Sequence, residues 1–181
     1  MTKQLRPRPI DVPAAGIRVE TYTGPRADLR SLFRLAEDST DQLDSYIDLG
    51  RVLVAVSGGE VIGHLQLIDT GDPGQVELKN MAVREDHRGH GVGRRLIHAA
   101  VDLLATEAVT ELIVATAAAD TGNLRFYQRQ GFRLRSVERD AFCAASGYPP
   151  GLRIDGIELR DRVWMDRPVR ASTSDGRALP V

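Results

Sequence analysis

Residues 87–95 read HRGHGVGRR, and an apolar helical pattern follows at once. Glycine tolerates positive φ and leaves no Cβ in the way of a ligand. The first turn of a helix carries N–H groups without intrahelical acceptors and a partial positive charge. Together these features suit an anion with several oxygens held on backbone amides, and a diphosphate is the expectation. Arg88, Arg94 and Arg95 add to the local positive field. A tight connection with no ligand is the alternative, but glycines at 89, 91 and 93 are costly unless backbone must approach something. The loop lacks the GK[ST] ending that would hold a nucleotide triphosphate with magnesium. Its glycine spacing also misses G-x-G-x-x-G, and hairpins rather than a βαβ unit precede it.

The elements that must position this loop can be read from periodicity. IRVETY (17–22) alternates as a strand, and residues 28–38 carry leucines and a phenylalanine at helical spacing. A second short helix is expected over 41–49. RVLVAV (51–56) and VIGHLQLID (61–69) form a hairpin about SGGE, and VELKNMAV (76–83) is a third consecutive strand. After the glycine loop comes a long helix with an apolar stripe through Leu96, Ile97, Ala100, Val101 and Leu104. TELIVATA (110–117) reads as a buried strand, 121–130 as a short helix closed by Gly131, 132–142 as a strand and 156–167 as the last strand. The unit from the fourth to the fifth strand is a right-handed parallel crossover.

Composition bounds the function classes. The chain has 181 residues, 42% hydrophobic and 27% charged, as in an ordinary globular protein. Its net charge of -1 argues against a main role in gripping nucleic acid or an anionic membrane. Lysine occurs only at Lys3 and Lys79, so the other 22 basic residues are arginines, each a planar fork suited to phosphate or carboxylate. Cys143 is the one cysteine, which excludes an internal disulfide and fits a reducing compartment. The N-terminus has no apolar signal-peptide core, and no apolar run reaches 18 residues, so a cytoplasmic protein without a membrane span is expected. The four histidines lack metal-ligand spacing with cysteine or carboxylates, so no metal is expected.

Arg88-Gly89-His90-Gly91-Val92-Gly93 resembles the [RQ]-x-x-G-x-[GA] loop of the GNAT superfamily of N-acetyltransferases. LKNMAV resembles that family's fourth strand, and NLRFYQRQGFR (123–133) resembles its second motif, an Asn and a Tyr four residues apart followed by GF. The resemblance spans about residues 17–167. It implies an α+β (mixed α/β) GNAT-like fold: a central, mostly antiparallel twisted sheet of about seven strands, a splayed parallel pair formed by the fourth and fifth, and about four flanking helices. A flexible arm is expected over 1–15, the GNAT-like acetyltransferase domain over 16–168 and a flexible tail over 169–181.

The resemblance also implies roles. The amides of Arg88, Gly89, His90, Gly91, Val92, Gly93 and Arg94 would hold the pyrophosphate of acetyl-coenzyme A. The backbone of Met81, Ala82 and Val83 would bind its pantetheine arm as an added strand and polarise the thioester carbonyl. Tyr127 would protonate the departing thiolate; the alternative is a helix tyrosine packed on the sheet with a solvated hydroxyl. Asn123 would bond the cofactor arm or cap its helix. Glu77 would take a proton from the amine, or is a strand-edge carboxylate paired with an arginine. Glu77, Lys79, Met81 and Val83 share one face of an uninterrupted strand. His64 is a second candidate base or a structural strand histidine. His87 and His90 face solvent or phosphate. The acidic stretch with Glu37, Asp38, Asp41, Asp44 and Asp48 is a solvated helix face or a groove for a cationic amine, with Tyr148, Pro149 and Pro150 on the other side. The expected function is transfer of an acetyl group from acetyl-coenzyme A to a primary amine of a small molecule or peptide by direct attack, in a homodimer. The alternatives are a non-catalytic acyl-coenzyme A sensor and a transferase using another acyl donor.

Overall fold

The computed structural model describes residues 16–169; the expected arm over 1–15 and all but Val169 of the expected tail lie outside the described residues. The elements run β1 (Arg18–Tyr22), a 3-10 turn (Arg26–Leu29) continuing into α1 (Arg30–Phe33), α2 (Thr40–Tyr46), β2 (Arg51–Ser57), β3 (Glu60–Asp69), β4 (Gln75–Val83), α3 (Val92–Ala105), β5 (Glu111–Ala117), α4 (Thr121–Arg129), β6 (Arg133–Glu138), β7 (Arg153–Ile154), β8 (Ile157–Glu158) and β9 (Arg162–Pro168). Seven strands form one mixed sheet in the order β1-β2-β3-β4-β5-β9-β6, and β7 and β8 form a separate two-stranded hairpin. The fold is the expected α+β arrangement.

The chain divides into two compact units, one holding residues up to Ile68 with Leu78–Ala100, the other Asp69–Glu77 with Val101 onward. In the first unit, β1 and β2 pair antiparallel, as do β2 and β3. Residues 52–56 of β2 are all buried, because a central strand covered on both faces loses its alternation. On one face Val52, Val54 and Val56 meet Leu29, Leu32, Phe33, Leu43, Tyr46 and Ile47 from the two short helices. Gly50 turns the chain from α2 into β2 at φ +60, and a Cβ there would lie 1.9 Å from the Leu67 carbonyl oxygen.

In the second unit the start of β4 lies beside β5: the Thr110 and Glu111 amides both donate to the Gly74 carbonyl, at 2.8 and 3.1 Å. β5 pairs antiparallel with β9, and β9 with β6. Val114 and Met165, opposite each other in that ladder, are fully buried.

Three elements differ from the periodic reading. The helix expected over 28–38 is a 3-10 turn and one α turn. Its ladder tightens to three-residue spacing, with Leu35 N–H donating to Leu32 and Ala36 N–H to Phe33, before Ser39 caps α2. The strand expected over 132–142 stops at Glu138, because Asp140 turns the chain at φ +58. The strand expected over 156–167 is two pieces. Asp155 and Gly156, with φ of +49 and +82, make the two-residue hairpin turn between β7 and β8, and β9 begins afresh at Arg162.

Candidate active site

β4 ends at Val83 and the chain turns once before the glycines. His87 N–H donates to the Arg84 carbonyl at 2.9 Å and Arg88 N–H to that of Glu85 at 3.2 Å. The Arg88 amide is thus already satisfied within the protein, and its Nε donates back to the Val83 carbonyl at 3.1 Å. Gly89 and Gly91 then take φ of +81 and +79, and a Cβ at either would meet nothing within 4 Å. Their use is conformational and outward-facing: they open the loop rather than relieve a packing clash. The ladder of α3 begins only where Arg95 N–H donates to the Gly91 carbonyl at 3.1 Å. Val92, Gly93 and Arg94 lie before it, in the turn whose amides have no intrahelical acceptor. Among the described residues, no backbone acceptor meets the amides of Gly89, His90 or Gly91 either. A run of main-chain donors therefore stands without a backbone acceptor beside open space at Gly89 and Gly91, an arrangement that suits a diphosphate. His87 does not join it: its Nδ1 meets Asp86 at 2.8 Å, and Arg84 bonds Asp86 and Glu60. His90 is half-buried and its Nδ1 has no partner.

β4 shows the alternation expected of it. Val76, Leu78, Asn80 and Ala82 are buried, while Glu77, Lys79, Met81 and Val83 share the more open face. Beneath its far end, Gly63 of β3 admits the Ala82 carbonyl, which a Cβ would meet at 2.9 Å. Asn80 is the residue that the sequence reading missed. Its Nδ2 donates to the Tyr46 hydroxyl at 2.9 Å and to the Phe33 carbonyl at 3.2 Å. Its Oδ1 therefore accepts from His64 Nε2, 2.9 Å away. Tyr46 in turn reaches Glu37 at 3.4 Å, and the Lys79 ammonium lies 5.3 Å over its ring. An asparagine at an inward position of a buried strand was the available signal, since buried amides find partners.

This settles His64 as a core residue. It is fully buried, stacked 4.1 Å from Phe33, and its Nδ1 has no partner. Burial lowers its pKa to about 4 against the lift from Asn80. A proton on Nδ1 would find no acceptor, so the ring is neutral near pH 7. The acidic stretch is divided. Asp38, Asp41, Asp44 and Asp48 are exposed, with Asp44 paired to Arg30, and only Glu37 is drawn into the buried network.

In the second unit Tyr127 lies on α4, buried at 6% exposure, its ring edge-on to Phe126 and Phe132. Burial, and then the charge of Asp120, raise its pKa above the ordinary tyrosine value. A phenol so placed keeps its proton. Asp120 caps α4, its Oδ1 accepting from Asn123 N–H at 2.8 Å. Asn123 is therefore the third residue of the helix, not its cap, and its exposed side chain is left for other work. Tyr148 packs edge-on against Phe142 at 5.0 Å.

The model of the acetyltransferase (GNAT) family matches residues 20–132, which hold the glycine loop and Tyr127. The chain belongs to the GNAT acetyltransferase family. Among curated relatives, an uncharacterized N-acetyltransferase of Bacillus subtilis, YvbK, is 29% identical over 152 residues, covering 83% of this chain and 96% of the relative. A Bacillus subtilis acetyltransferase solved in complex with CoA is 28% identical, with a TM-score of 0.76 over 84% of this chain and 98% of that one. A GNAT family acetyltransferase from Elizabethkingia anophelis with acetyl-CoA bound is 27% identical, with a TM-score of 0.77 over the same shares. As a GNAT acetyltransferase the chain is an acyltransferase. No group of three or more His, Cys, Asp or Glu among the described residues is placed to hold a metal ion. No helix among them is long and apolar enough to cross a membrane.

Proposed function

We propose that this protein moves the acetyl group of acetyl-coenzyme A to a primary amine of a small molecule or peptide. The observation that carries the reading is the run of unclaimed amides from Gly89 to Arg94 after β4. It supports diphosphate binding there, and the likeness to relatives solved with CoA or acetyl-CoA supports the same ligand. The backbone of Met81, Ala82 and Val83 aligns the pantetheine arm as an added edge, and Asn123 offers it a side-chain amide.

The chemistry asked of the protein is then small. A neutral amine attacks the thioester carbon, and the carbon–sulfur bond breaks. Tyr127 gives its proton to the departing sulfur. Glu77, on the open face of β4, takes the proton that the amine sheds, directly or through a water. No activated serine or cysteine is needed, because attack is direct. The acceptor meets the side of the first unit that carries Glu37 and Tyr46. A cytoplasmic location is part of this reading, supported by the exposed, unpaired Cys143, and so is a homodimer. Neither a nucleic acid nor a membrane is a partner in it.

A thiol-release assay with acetyl-coenzyme A over a panel of amines tests the proposal. At least one amine should release thiol in proportion to acetylated product. Tyr127→Phe should lower kcat by about 100-fold or more while leaving KM for acetyl-coenzyme A nearly unchanged. Coenzyme A binding without turnover on any amine would make the protein a sensor. Faster release from succinyl- or propionyl-coenzyme A would reassign the donor.

A further inference from the structure

Of the chain's 24 basic residues only Lys3 and Lys79 are lysines; the rest are arginines. A guanidinium keeps its proton and does not attack acyl groups, whereas an amine that has lost its proton does. Lys79 is the one lysine among the described residues, and it is exposed. It stands on β4, on the same open face as Met81 and Val83. Residues two apart on a strand are separated by about 7 Å, a distance that a flexible four-carbon stem spans. The ammonium does not simply extend into water. It lies 5.3 Å from the centre of the Tyr46 ring, an attraction that draws it toward α2. Tyr46 is held in turn by Asn80, whose Nδ2 donates to its hydroxyl at 2.9 Å. The side that carries Tyr46 is the one assigned above to the acceptor. Lys79 therefore holds an amine of the chain's own where the acceptor's amine is expected, within reach of the strand that takes the thioester.

We propose that Lys79 is a self-acetylation site: with acetyl-coenzyme A bound and no acceptor amine present, its own amine takes the acetyl group. This rests on the reading of the protein as an acetyltransferase. The ammonium first releases a proton to solvent. Nζ then bonds to the thioester carbon, and the carbon–sulfur bond breaks. Nζ sheds a second proton as the amide forms, and the departing sulfur takes one up to leave as the thiol of coenzyme A. Nothing is oxidised or reduced. The amide carries no charge, so the attraction that held the ammonium over Tyr46 is lost. One chain takes one acetyl group there.

Intact-mass and peptide mass spectrometry on the full chain, incubated with acetyl-coenzyme A and no amine, test it. The chain should gain an acetyl group at Lys79 at least about 10-fold faster than at Lys3, because an amine positioned beside the thioester gains from proximity. The rate should level off with rising acetyl-coenzyme A. Its constant should be the same from about 1 to about 50 µM chain, as expected of an amine and a thioester on one molecule. Lys79→Arg should keep the positive charge and lose the mark. The position is exposed, so far-UV circular dichroism of this variant should match the wild type. Three results would overturn the proposal: an unmarked Lys79, marking of Lys3 at an equal rate, or a rate constant that climbs with chain concentration. Thiol release on the amine panel separates two failures. Release with Lys79 unmarked removes self-acetylation alone; neither release nor mark removes the transferase reading with it.

Discussion

At the scale of single residues, the site depends on which proton each group is held to. Tyr127 is kept protonated by burial and by Asp120, and His64 is kept neutral by burial. The second fact has a consequence for stability. The folded pKa of His64, about 4, lies below its ordinary 6.5. The unfolded chain therefore binds more protons than the native one between those values. Stability is complete above pH 6.5 and is lost as pH falls toward 4, by up to about 3 kcal/mol from this group. Urea unfolding across that range, wild type against His64→Gln, isolates it: the wild type should lose more, and parallel curves would contradict the assignment. His64 was legible as a strand histidine with two readings. Its structural role became clear only through Asn80, whose partners lie 34 and 47 positions away in sequence.

At the scale of elements, the ends matter more than the middles. The strands and the long helix followed from hydrophobic period, which is the part of the pattern that burial dictates. The terminators did not. The Asp155-Gly156 turn was visible as a dipeptide between two isoleucines, Ile154 and Ile157, yet the alternation beyond it masked the break. Leu35 and Ala36 fitted a helical stripe but are exposed, because α1 is cut short to reach the Ser39 cap. The same attention to ends yields two tests. Asp120→Ala removes the cap of α4 and should cost about 1 kcal/mol in stability by chemical denaturation. Gly91→Ala forces an alanine to a φ of +79 in open space. Its cost to folding should be about 1 kcal/mol, but KM for acetyl-coenzyme A should rise by about 10-fold or more, because the loop's donors no longer converge. An unchanged KM would mean the loop is only a connection.

At the scale of the whole molecule, the succession of strands along the chain and the glycine loop were readable together, and each constrained the other; the insertion of β9 between β5 and β6 was not. A glycine-rich turn alone fits several phosphate binders, but after three consecutive strands it fits few. The amine acceptor was not readable, because charge on a surface helix does not reveal which carboxylates fold inward; Glu37 does and its four neighbours do not. The account rests on main-chain donors after β4 holding a diphosphate. Amide chemical shifts on the 15N-labelled chain, titrated with coenzyme A and separately with pantetheine, test this most directly. The amides of Gly89, Gly91 and Gly93 should move strongly with coenzyme A and hardly at all with pantetheine, which lacks the diphosphate. Glycine amides that stay still while coenzyme A binds would contradict the account.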